Sequence, residues 1–258
     1  MIKMPVIFVG HGSPMNAILD NQYSSGWKEM AKRIPEPKAI ISISAHWFTN
    51  GTKIMNEDHP KTIYDMYGFP KELYAIKYDV LGNPMLAEEV KRLIQKPSSF
   101  DNTWGIDHGT WSVLVHMYPK RDIPVFQISI DAKAPPQTHY QIGKDLQQLR
   151  NQGVLIFGTG NIVHNLRLVN WDMEQQGYDW AYEFDNYIKD NILKRNHQNI
   201  MDYHKIGRQA SLAVPTLDHF NPLLYILGAT DDQDEISIFN ENCAMGSVSM
   251  TSYLFQPK

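Results

Sequence analysis

Four histidines stand just beyond apolar runs: His11 after PVIFVG, His46 after AIISISA, His164 within VLIFGTGNIVHN, and His219 closing the weaker stretch SLAVPTLDH. Neutral imidazole is the commonest side-chain ligand for transition metals, and several projecting from rigid strand ends can meet one cation without straining the backbone. A lone histidine beside Gly-Ser-Pro is ordinarily a loop residue bonded to a carbonyl. Four at one structural position, out of ten in the chain, are hard to obtain by chance, and together they read as a mononuclear metal centre. His108 differs, sitting in the aromatic stretch WGIDHGTW, which reads as a compact loop beside Asp107. Partial desolvation there favours a neutral ring able to hydrogen-bond a substrate hydroxyl or move a proton; a buried histidine tying two loops together fits as well. His116, His139, His197 and His204 read as surface or capping residues, and His59, before Pro60, has no assigned role.

Something must carry these rings to one place. Val6–Gly10, Ala39–Ala45, Pro124–Ile130 and Val154–Gly158 are short, nearly continuous apolar runs, as strands covered on both faces are. Ile236–Asn240 and Val248–Phe255 also read as strands. Between them lie helical segments: one opened by Asn83-Pro84, one over Pro135–Asn151 stopped by Gly153, and an amphipathic one over Asp179–Arg195. Asn196–Gln209 fits a loop or a short helix. Strands alternating with helices predict a mostly parallel sheet between helical layers, an α/β fold. Ligands of such sheets bind beyond the carboxyl ends of the strands, where the four rings would converge.

Other motifs fail on their own chemistry. Gly158-Thr-Gly160 lacks the third glycine of a dinucleotide loop, and Ser13 lacks the flanking glycines of a nucleophile elbow. The turn Tyr64–Pro70 (YDMYGFP) could line a pocket for a flat substrate, or simply be a loop pinned to the surface by Tyr67 and Phe69. The 258 residues suffice for one large domain. With 24 basic against 28 acidic residues in mixed order, the net charge of −4 carries no footprint of nucleic-acid binding. One cysteine, Cys243, fits a reducing compartment. No apolar stretch reaches membrane-spanning length, and the opening MIKMPVIFVG is too short for a signal-peptide core. The expectation is a soluble cytoplasmic protein, working as a monomer without nucleic-acid or membrane partners.

Taken together, GHGSPM, ISAHW, YGFP, WGIDHGTW, GTGNIVHNLR and TLDHFNPL resemble the class III (LigB-type) extradiol ring-cleavage dioxygenases, nearest their DOPA-dioxygenase-like branch, from about residue 5 onward. The resemblance implies a three-layer α/β/α fold with a single catalytic domain over residues 1–258. It implies one divalent metal per chain and, as substrates, O2 and a small aromatic diol whose ring is opened to a semialdehyde. It makes His11 and His46 metal ligands, and puts His219 where the wider superfamily often has a carboxylate. His164 matches an acid/base histidine that can also complete the coordination sphere, and His108 a second catalytic histidine contacting substrate. An all-nitrogen set suits Zn2+, whereas dioxygenase turnover calls for Fe2+. Two other readings stay open at this point: a zinc-dependent hydrolase using metal-bound hydroxide, and a non-catalytic interaction protein on the same fold.

Overall fold

A computed structural model describes residues 3–258. In chain order its elements are β1 (Val6–Gly10), α1 (Gln22–Lys32), β2 (Ala39–Thr49), β3 (Thr52–Ile54), α2 (Lys71–Tyr74), α3 (Pro84–Leu93), β4 (Ser98–Phe100), α4 (His108–Met117), β5 (Val125–Asp131) and α5 (Pro136–Leu146). There follow β6 (Val154–Gly160), α6 (Asp179–Leu193), α7 (His197–Met201), α8 (Arg208–Ala213), α9 (Asn221–Ala229), β7 (Glu235–Phe239), β8 (Cys243–Ala244), β9 (Val248–Ser249) and β10 (Ser252–Gln256).

Eight strands form one sheet in the order β4-β3-β5-β2-β6-β1-β10-β7. Its centre, β5-β2-β6-β1, is parallel, as the continuous apolar runs require, and every residue of β1 and β6 is buried. The margins depart from that rule: β10 and β7 add antiparallel to β1, and β3 is antiparallel to β5. The helical layers follow from the alternation of side chains along β6. A Cβ on Gly158 or Gly160 would meet Ile226 or Pro222 of α9, while Thr159 between them donates its hydroxyl to Gly109 O of α4. Helices α9 and α4 therefore cover opposite faces, giving the expected three-layer α/β arrangement.

Several sequence expectations are corrected by the structure. Ala39–Ala45 runs on to Thr49, so His46 lies inside β2, at a register shift against β5 between Ile43 and Phe48. A bulge of this kind re-aims side chains. WGIDHGTW is no loop throughout: Asp107 accepts from the Thr110 amide and caps α4, whose first residue is His108. His219 follows no strand, standing two residues ahead of α9 after the short helix α8. Val248–Phe255 divides into β9 and β10, because the Ser249 and Thr251 hydroxyls both turn aside to the buried carboxylate of Asp185 on α6. Asn196–Gln209 holds α7, a 3-10 turn and the start of α8. Tyr67 is 92% exposed and pins nothing. His139 is neither surface nor cap: it is fully buried on α5, with Nδ1 3.0 Å from Tyr225 Oη and Nε2 accepting from Asn221 Nδ2 at 3.1 Å. Among the described residues no helix is long and apolar enough to cross a membrane.

Candidate metal centre and active site

His11 leaves β1 with its amide donating to Gly160 O at 3.2 Å, so the end of β6 holds it. Its Nδ1 lies 3.0 Å from Thr159 Oγ1, whose own hydrogen goes to Gly109 O at 2.7 Å. Having spent its hydrogen, the hydroxyl can only accept from His11, which fixes Nδ1–H and leaves the lone pair on Nε2. His46 has Nδ1 3.1 Å from Asp65 Oδ2. His219 has Nδ1 bonded to Asp218 Oδ2, and its carbonyl accepts the Asn161 amide at 3.0 Å, again anchoring it to the end of β6. All three rings thus have Nδ1 beside an oxygen that accepts, with Nε2 free for another partner.

One nitrogen from each of His11, His46 and His219 lies within 4.8 Å of the other two. The Nε2 atoms of His11 and His46 face each other at 3.2 Å. Two lone pairs at that distance repel unless a cation stands between them, and nitrogens sharing a tetrahedral ion at ~2.0–2.1 Å would be ~3.3 Å apart. The donor set therefore fits a metal ion. Burial first, then repulsion among the neighbouring imidazoles, holds the basicity of His11 and His46 well below the usual histidine range, so both are neutral and able to ligate at pH 7. At Asp218 burial acts to raise the pKa, but the hydrogen bond and charge of His219 outweigh it and hold the carboxyl well below its usual range.

His164 follows β6 by four residues, its amide donating to Ala213 O at 2.9 Å. Its ring stacks on that of His219 with centroids 3.4 Å apart and planes 11° apart. It groups with Asp218 and His219 as a separate set of close donors rather than with His11 and His46. Burial, then the charge of His219, holds its basicity down, with Asp218 pulling the other way. His108, from the first turn of α4, has its ring 3.9 Å from that of His46 and 5.8 Å from that of His11. Behind it Asp107 is fully buried and pushed up to about 6 by burial and by Asp65, against hydrogen bonds from Gln127, Ser44 and Trp104. All five sequence-predicted histidines thus gather in one cluster at the carboxyl edge of the sheet.

Sequence reading missed the oxygens that orient these rings: Thr159, Asp65 and Asp218. Asp218 had a signal, since it precedes His219 directly. Asp65 had none, because it meets His46 and His108 only through the fold.

The family described as the catalytic LigB subunit of aromatic ring-opening dioxygenase matches residues 4–256. The chain is 42% identical over 254 residues to the 4,5-DOPA dioxygenase extradiol of Escherichia coli (strain K12), covering 97% of this chain and 94% of that protein. It is 34% identical over 256 residues to the protein of the same name from Beta vulgaris, covering 96% and 95%. The crystal structure of an uncharacterized Escherichia coli K12 protein, 39% identical, superposes with a TM-score of 0.85 over 97% of this chain and 99% of that one. The matched span takes in every residue of the histidine cluster, and the chain belongs to the LigB family of aromatic ring-opening dioxygenases.

Proposed function

We propose that the protein is an extradiol dioxygenase that inserts both atoms of O2 into a catechol of the DOPA type, breaking the ring bond beside the hydroxyl pair to leave an open-chain semialdehyde. The observation carrying this reading is the trio His11, His46 and His219, each with Nδ1 beside an oxygen and Nε2 free, beside two further histidines that can handle protons. The names of the similar proteins from Escherichia coli and Beta vulgaris support the substrate class. The working unit in this reading is residues 1–258 as one domain, supported by the pairing of β1 with β10, with one ion per chain, as a cytoplasmic monomer.

His11, His46 and His219 would hold a divalent ion, which when bound would supply Lewis acidity toward the catechol hydroxyls and, as Fe(II), a path for electrons to O2 that Zn2+ lacks. His164, neutral through burial and stacked on a ligand ring, takes the proton that leaves the catechol. His108, fixed at the mouth of α4 with its backbone amide on Asp65 Oδ1 at 2.9 Å, takes the proton of the second hydroxyl on Nε2 and returns it to the oxygen released when the O–O bond breaks.

The test is anaerobic loading with Fe(II), then addition of DOPA and simple catechols in air, with oxygen uptake and absorbance followed together. The expected result is one O2 consumed per catechol and a yellow product, with the zinc-loaded protein inert. Absence of oxygen uptake by iron-loaded protein across the catechols would overturn the reading.

A further inference from the structure

Asp65 lies in the turn between β3 and α2, and its side chain is only 10% exposed. Its Oδ2 stands 3.1 Å from His46 Nδ1 and 3.0 Å from His108 Nδ1, while Oδ1 accepts the His108 amide at 2.9 Å. Asp65 Oδ2 and His108 Nδ1 are both buried and neither makes a well-aligned hydrogen bond, so these short contacts are the only polar ones open to them. The two rings are 3.9 Å apart and inclined at 49°, so one oxygen reaches both nitrogens and lies in line with neither. A buried carboxylate oxygen with no other donor has strong reason to keep both.

We propose that Asp65 is a positioning residue serving both histidines at once. By accepting from the two Nδ1–H groups it holds each ring in the tautomer whose lone pair is on Nε2. His46 then presents Nε2 to the metal, and His108 presents Nε2 to the substrate hydroxyl; the second half rests on the dioxygenase reading above. The first half is the carboxylate–histidine–metal relay common to metal sites, here shared with a histidine that is no ligand. The three groups are also close enough to bind an ion of their own. That would require His46 to give one nitrogen to each of two ions and lose its ring proton altogether, whereas a shared hydrogen-bond acceptor requires nothing of the kind.

Asp65→Asn discriminates, because an amide offers one accepting oxygen and one donating nitrogen. With its oxygen kept on the His108 amide, the variant turns its nitrogen toward both rings, so at least one must move its lone pair to Nδ1 and carry its hydrogen on Nε2. Wild type and variant are stripped with a chelator and titrated with Zn2+ against a chromophoric competitor. Histidine tautomers are read from long-range 1H–15N spectra of the zinc-loaded proteins, and metal-free unfolding is followed by calorimetry. In the wild type, His46 and His108 should both appear as Nδ1–H tautomers, with one Zn2+ per chain. In the variant, at least one should switch, and Zn2+ affinity should fall 10–100-fold with the metal-free unfolding midpoint little changed. Nε2–H tautomers in the wild type would overturn the proposal even if the variant failed to fold. So would unchanged affinity and tautomers in a folded variant, or two Zn2+ per wild-type chain with the second lost in Asp65→Asn. The tautomers are read without substrate: a protein with the expected spectra but no oxygen uptake would fail as a dioxygenase while leaving the Asp65 assignment of His46 intact.

Discussion

An imidazole can give a cation one nitrogen and keep its ring hydrogen on the other, so the oxygen behind the ring decides what the front of it does. His11 has a hydroxyl behind it, and His46 and His219 have carboxylates. A carboxylate strengthens the ring as a donor more than a hydroxyl does, because it stabilises the positive charge that ligation draws onto the ring. His164 has no such role within the trio, and its stacked position suits it to moving protons. Replacing His164 by Ala should leave one metal per chain by elemental analysis, while turnover with DOPA falls 10²–10⁴-fold. Full turnover with iron supplied would remove His164 from the mechanism.

At the scale of elements, the end of β6 is the jig for the site. Gly160 accepts the His11 amide, and Asn161 next to it donates to the His219 carbonyl. A Cβ on Gly160 would come within 2.1 Å of that carbonyl oxygen, a backbone atom that cannot swing away. Gly160→Ala should therefore cost ~1–3 kcal/mol in urea unfolding and, by shifting His219, also weaken Zn2+ binding in the same competitive titration. The second close approach is Gly109 on α4, whose absent Cβ would lie 2.7 Å from the His46 ring. That helix escaped sequence reading because it is buried all round and has no polar stripe. Its cap, Asp107, was visible as a residue but gave no sign of its capping role among so many aromatics.

For the molecule as a whole, the fold is held by a core beneath the histidine cluster that includes buried polar networks unrelated to it. His139 is one: burial holds its pKa down to about 4, against a usual value of 6.5. The unfolded chain takes up a proton below about pH 6.5 that the folded chain refuses, so this residue lowers stability as pH falls from about 6.5 toward about 4. His139→Gln should flatten that part of the profile by on the order of 2–3 kcal/mol, measured by urea unfolding of the metal-free protein across the window. An unchanged slope would mean that His139 titrates alike in both states.

The sequence by itself determined the architecture and the cast of histidines. Continuous apolar runs can be satisfied only by strands covered on both faces, and their alternation with helices leaves a parallel centre whose ends share one edge. Only the tertiary structure decided which rings group together, which nitrogen each one presents, and that His46 stands inside a bulged strand and His219 on the approach to a helix. The reason is distance along the chain. Periodicity records how a segment meets the core, whereas Asp65 lies 19 residues from His46 and 43 from His108, and Thr159 lies 148 from His11. Contacts across such separations leave no local pattern, and they are the ones that set the chemistry.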